Sequence, residues 1–324
     1  MNYLELHKNS IVIDCHADSL ARCFGENPAD LSVKAEKGHW DVPRAVEGGV
    51  TCQVLAMCTC SRYDVQSPVR HVMEMADAGI SLIEKNSDRL LLVRTAGDIT
   101  RAKKENKTAV LMSIENGLAL EGSARILRNF YRLGVRAMGL TWNYRNEIAD
   151  GTNEELLKAG LTKFGMETVS EMNRLGMLID VSHLNPAGFW DVLEKSLKPV
   201  IASHSNAHAA CGHPRNLYDD QIKALAQKGG VMGINFYSEF LRKEGSASIE
   251  DVFRHIDYIT ALAGPDCVGL GSDFDGISRP PEGLEDVSKL PKITERLIKA
   301  GYKDEDIKKI LGMNFFRVFK TVIG

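Results

Sequence analysis

The 324-residue sequence predicts a (β/α)8 TIM barrel, a closed ring of eight parallel strands wrapped by helices. Three observations predict it. Apolar runs of strand length occur eight times, near-continuously apolar rather than alternating, as in strands covered on both faces. Segments of helical periodicity lie between most of these runs. Side chains able to bind metal ions stand at the C-terminal ends of five runs, the rim where such barrels keep their chemistry.

The runs, in order, are IVIDC (11–15), TCQVLAM (51–57), AVLMSI (109–114), VRAMGLT (135–141), GMLIDVS (176–182), PVIAS (199–203), GVMGINF (230–236) and CVGLGS (267–272). Helical periodicity marks Val69–Glu84, Gly122–Leu133, Thr162–Leu175, Asn185–Lys195, Asp219–Lys228 and Ile249–Leu262. Asn185-Pro186 reads as a helix start, with a capping side chain and proline in the first turn. Ser248 with Asp251 reads as another. Residues 17–50 form a long first connection, and 274–324 hold a loop and two closing helices. A doubly wound open sheet is the competing fold. It needs a glycine-rich phosphate loop after an early strand, and GLGSDFDG lacks the third glycine and comes at the last strand. No composition shift, low-complexity segment or repeat divides the chain, so residues 1–324 read as one domain.

Composition narrows the function. The net charge is −3, with no basic stripe, which argues against a nucleic-acid partner. No apolar stretch approaches the ~20 residues of a membrane helix. The N-terminus shows no basic-then-apolar leader. The seven scattered cysteines lack metal or redox spacing and read as reduced thiols; Cys58 and Cys60 have one residue between them. The expectation is a cytoplasmic protein.

The run ends carry the chemistry. The first ends in His16 and Asp18, the third in Glu115, the fifth in His183, the sixth in His204 and the eighth in Asp273. Residues two apart on a strand share a side, so His16 and Asp18 can converge on one ion. Imidazole and carboxylate suit zinc. A carboxylate can bridge two ions ~3.5–4 Å apart. Six ligands are too many for one tetrahedral zinc and fit two, so the pattern predicts a binuclear site. Singly, a histidine at a strand end is more often a core or loop residue; the joint pattern carries the reading. Asp14 and Asp180, also in apolar runs, read as groups behind the ligands or as buried hydrogen-bond partners. His7, His39, His71, His208, His213 and His255 read as exposed or packing histidines.

This set resembles the amidohydrolase superfamily and, more narrowly, the membrane (renal) dipeptidase family. The resemblance runs through DCHAD, DVPRAVEGGVTCQVLA, SIENG, LTWN…ADG, LIDVSH, ASHSNAHAACGHPRN, GGVMGINFY, GLGSDFDG…PPEGLEDVSK and GMNFFRVF, in family order over nearly the whole chain. It implies a metallo-exopeptidase with two zinc ions per chain, other divalent metals also fitting, that hydrolyses dipeptides and tolerates a D-residue at the C-terminal position. His16 and Asp18 match the pair on one zinc. Glu115 matches the bridging carboxylate, and His183 and His204 the pair on the second zinc. Asp273 matches the acid beside the metals. Arg215 matches the arginine that receives the terminal carboxylate, although spacing alone favours a surface ion pair with Asp219 or Asp220. Tyr237 matches a residue near the substrate. The resemblance also suggests a homodimer.

One departure stands out. The best-known members carry a histidine near the scissile carbonyl where this chain has Trp142. Asn143 offers a replacement donor, and Trp142 a pocket wall or plain packing. Trp142 therefore keeps open an alternative: a metal-dependent amidohydrolase acting on a cyclic amide, a lactone or an N-acyl amino acid. In the dipeptidase reading, two metals hold a bridging hydroxide, since metal binding lowers the pKa of water from ~15.7 to about 7. Asp273 relays the proton to the leaving nitrogen.

Overall fold

The computed structural model describes residues 2–25, 27–59, 67–154 and 159–324. Among the described residues nine strands form one sheet: β1 (Ile13–Ala17), β2 (Cys52–Cys58), β3 (Leu90–Leu92), β4 (Thr108–Glu115), β5 (Val135–Gly139), β6 (Leu178–Asp180), β7 (Ile201–Ala202), β8 (Val231–Ile234) and β9 (Val268–Leu270). The order is β2-β1-β9-β8-β7-β6-β5-β4, and β2 pairs with β4 to close the ring. Every pairing in the ring is parallel. The eight barrel strands are the eight apolar runs. The ninth, β3, has no counterpart among the apolar runs; it pairs with β4 outside the ring.

Period two sorts each strand into two faces. Outward residues such as Leu55, Met112, Met138, Ile179 and Ile234 pack with the surrounding helices. Inward residues Ile13, Cys52, Val54, Ala109, Leu111, Leu178, Ile201 and Val231 form a second cluster with Phe315, Val318, Phe319 and Val322. The helix bearing those four, Asn314–Ile323, touches β1, β6, β8 and β9, so it lies across the ring and plugs its base. Phe315 and Phe319 are fully buried there, each worth roughly 1.5–3 kcal/mol. The apolar half of the interior is thus filled from below, and the polar half faces the C-terminal rim.

The helices follow the periodic segments to within two residues, among them Pro68–Lys85, Lys163–Leu175, Pro186–Lys195 and Ile249–Ala263. Both expected starts are capped. Asn185 Oδ1 accepts from Gly188 N, and Ser248 and Asp251 form a capping box. A helix at Tyr3–Asn9, capped by Asn2, precedes β1 and lies outside the periodic segments. The amphipathic segment Ile307–Phe319 is broken at Gly312, which lies against the backbone of Ile11 and Ile13 where a side chain would not fit.

Cys15, Cys23, Cys52, Cys211 and Cys267 are free. Cys58 is disulfide-bonded, which corrects the expectation of seven reduced thiols; Cys60 lies outside the described residues. Among the described residues no helix is long and apolar enough to cross a membrane.

Candidate metal centre

The six candidate ligands meet at the rim. In β4, Ala109 and Leu111 face inward, so period two carries Glu115 inward as well. In β1 the same rule would send His16 outward, because Ile13 and Cys15 face inward. The ladder to β2 slips between Asp14 and Ala17, where the β1 side has one extra residue. This bulge re-aims His16 into the barrel. Asp18 follows at the start of the short helix Ser19–Cys23. His183 and Asp273 both sit just past their strands in left-handed backbone, with φ of 67° and 62°. Non-glycine residues adopt this conformation uncommonly, Asp and His more readily than most.

The atoms fall into two groups that share Glu115. Its Oε1 lies 2.9 Å from His183 Nε2 and 3.6 Å from His204 Nε2. Its Oε2 lies 3.8 Å from His16 Nε2, which is 3.3 Å from Asp18 Oδ2. Asp273 joins the His16–Asp18 group within 4.8 Å. The donor atoms are imidazole nitrogens and carboxylate oxygens, the set that divalent zinc takes. His16 Nε2 and Asp18 Oδ1 are buried without hydrogen-bond partners, which fits groups reserved for a cation.

The electrostatics point the same way. Burial, with the charges of Arg215 and His16, holds His183 and His204 well below the usual imidazole range, so both stay neutral. For His16 burial also pushes down, but Asp18 and Glu115 outweigh it and raise the ring to about 10. Glu115 is pushed well above the carboxylate range by burial and by Asp18. Asp273 rises to about 7, through burial and Asp18 and against the pull of His16. Negative charge crowded around His16 calls for positive charge at that spot.

Further residues hold this arrangement. Asn143 Oδ1 accepts from His183 Nδ1 at 2.7 Å, so its oxygen orients a candidate ligand. Trp142 stands beside it, its ring 6.0 Å from the ring of His183 and 5.9 Å from that of Tyr144. The turn bearing both closes over Gly151, where any Cβ would overlap the carbonyl of Trp142. Gly276 is similarly placed: a Cβ there would overlap the carboxylates of Asp18 and Asp273. Asn235 Nδ2 donates to Asp273 Oδ2 at 2.8 Å. Gly276 and Asn235 went unread; their signal was position alone, beside DFD and inside INFY.

Arg215 is buried rather than paired on the surface. One terminal nitrogen donates to the carbonyl of His204 at 3.3 Å, and its Nε has no partner. Its guanidinium lies 5.5 Å from the ring centre of Phe240. Burial lowers it to about 10, against the attraction of Asp273 and Glu115, which leaves it charged at neutral pH. Tyr237, half-buried, packs edge-on against the same Phe240 with ring centres 4.9 Å apart. Its backbone N donates to Asn235 Oδ1.

A family model described as membrane dipeptidase (peptidase family M19) matches residues 2–323. An uncharacterised dipeptidase of Schizosaccharomyces pombe is 36% identical over 340 residues, covering 98% of this chain and 82% of that protein. A metallopeptidase of Rhodobacter sphaeroides, liganded with a phosphinate mimic of the dipeptide L-Ala-D-Ala, superposes with a TM-score of 0.89 at 29% identity, covering 97% of this chain and all of that one. A solved dipeptidase of family M19 gives a TM-score of 0.89 at 30% identity, covering 97% and 99%.

Proposed function

The chain belongs to the membrane dipeptidase family, peptidase family M19, and on that premise we propose that it hydrolyses free dipeptides at two zinc ions. His16 and Asp18 would hold one ion, His183 and His204 the other, with Glu115 shared and Asp273 adjoining the first. The observation that carries this is the division of Glu115, one oxygen toward each group. When bound, the pair supplies a Lewis acid for the scissile carbonyl and brings the pKa of water to about 7.

The protein supplies the rest. Asp273, held by Asn235, takes a proton from the attacking water at its carboxylate and returns it to the leaving nitrogen. Arg215 receives the substrate's terminal carboxylate in a two-point fork, its unpartnered Nε supplying one donor. A charge-assisted contact of this kind favours substrates whose free carboxylate lies one residue beyond the scissile bond. Asn143 keeps the proton of His183 on Nδ1 and leaves Nε2 free to coordinate. Trp142 and Tyr237 border the substrate. The mimic bound by the Rhodobacter sphaeroides protein supports a D-residue at the C-terminal position.

The same proposal takes residues 1–324 as one catalytic domain that pairs as a homodimer in the cytoplasm. A dipeptide library, assayed with added zinc and with chelator, tests the function. Turnover of L-L or L-D dipeptides that chelator abolishes supports it; turnover confined to other amides or esters refutes it. Trp142 beside His183, in place of the family's histidine, favours one second reading: hydrolysis of a lactone, cyclic amide or N-acyl amino acid. Those compounds belong in the same screen.

A further inference from the structure

We propose that Asp180 and Ser203 are positioning residues that set the tautomer of His204, and that this pair is one of two equivalent Asp–Ser clamps at the rim. The proposal rests on the reading of His204 as a zinc ligand.

The proton count carries it. Asp180 Oδ1 accepts from Ser182 N and Ser203 N, both at 2.9 Å. Its Oδ2 accepts from the hydroxyl of Ser203. A serine hydroxyl has one proton, and that proton is committed to Asp180. Ser203 Oγ is therefore left as an acceptor toward His204 Nδ1, 2.7 Å away. Neutral His204 must carry its proton on Nδ1, which leaves Nε2 bare. Asn143 fixes His183 in the same way. The two bare Nε2 atoms face each other at 2.9 Å, beside Glu115 Oε1. Metal-binding histidines usually anchor their second nitrogen on a carboxylate or carbonyl. Here a serine stands between ring and carboxylate.

The second clamp lies across the barrel. Asp14 Oδ1 accepts from Ser272 N at 2.8 Å, and Oδ2 from Ser272 Oγ at 2.6 Å. These are the same atoms in the same roles. Ser272 precedes Asp273 as Ser203 precedes His204. The strands joined are β1 with β9 and β6 with β7, each carrying candidate ligands. Ser272 Oγ has no imidazole upon it; its other contacts are the carbonyl of His16 and the backbone N of Phe274. It is a natural control, a clamp without a tautomer to set.

The test is zinc affinity by chelator competition on the apoprotein, joined to imidazole nitrogen NMR. The wild type should show His204 protonated on Nδ1. Ser203→Ala should mix the tautomers and weaken one of the two zinc sites by about 10- to 100-fold. Ser272→Ala should leave the His204 tautomer as in the wild type, because no imidazole contacts the Ser272 hydroxyl. Asp180→Asn is the second variant should Ser203→Ala not fold. Its amide donates to Ser203, freeing the hydroxyl proton for His204 Nδ1, and the tautomer should reverse. Unchanged affinity or tautomer in Ser203→Ala or Asp180→Asn overturns the proposal, as does a mixed His204 tautomer in Ser272→Ala. A wild type that binds no zinc would overturn the dipeptidase reading instead.

Discussion

Asn235 Nδ2 donates to Asp273 Oδ2 across 2.8 Å, and Asn235 is itself locked by Asn206. Asn206 Oδ1 accepts from Asn235 N at 3.0 Å, and Asn206 Nδ2 donates to Asn235 O at 3.0 Å. These bonds pin the backbone of Asn235, and its side-chain oxygen accepts from Tyr237 N, so the amide that meets the proposed proton carrier is held at both ends. Asp273→Asn should lower kcat by about 10²- to 10⁴-fold while zinc is retained. Asn235→Ala leaves the carboxylate in place but unsteered and should cost about 10-fold in kcat, with KM nearly unmoved. Steady-state kinetics with metal analysis check both. Turnover near wild type in Asp273→Asn removes it from the reaction.

Arg215 is the expected determinant of short substrates. A charge-assisted hydrogen bond contributes about 1.5–3 kcal/mol, so Arg215→Ala should raise KM for dipeptides roughly 10- to 150-fold. Arg215→Lys keeps the charge without the fork and should fall between. An unmoved KM would place the terminal carboxylate elsewhere.

Gly276 makes room for two carboxylates at once. Gly276→Ala puts a methyl group where Asp18 and Asp273 now lie. It should weaken zinc by about 10-fold or more, in line with other disturbances behind a ligand. Isothermal titration of the apoprotein reads this directly. Unchanged affinity would mean that the carboxylates relax at no cost.

Buried histidines away from the centre set an acid limit on stability. His7 bonds Thr294 and the carbonyl of Gly48; His255 joins Ala207 N to the carbonyl of Leu241. Burial lowers both to about 4, from 6.5. Below pH 6.5 the unfolded chain binds the proton and the native one does not, so stability falls as pH falls toward 4. By pH 5 the loss is about 2 kcal/mol for each. His255→Gln cannot take a proton, so its urea-derived stability should decline less between pH 7 and 5. Equal slopes for variant and wild type contradict this.

The eight barrel strands were legible because a strand buried on both faces is apolar throughout, and the ligands because they interrupt that pattern at its ends. What was not legible depends on tertiary geometry. Nothing in IDCHAD signals the bulge that turns His16 inward, since an extra residue shows only against the register of β2. Leu90–Leu92 is too short to separate from a helix–loop junction. Asp14 and Asp180 were visible as acids in apolar runs, but their serine partners lie 258 and 23 residues away. Asn143 reads in the sequence as a donor to substrate; that its oxygen also orients His183 depends on a contact 40 residues away.

The central claim is tested most directly by titrating zinc into the apoprotein while recording metal content and dipeptide hydrolysis on the same samples. The account predicts turnover that reaches its plateau at two ions per chain and vanishes with chelator. A plateau at one ion or fewer, or hydrolysis that survives complete removal of metal, would contradict it.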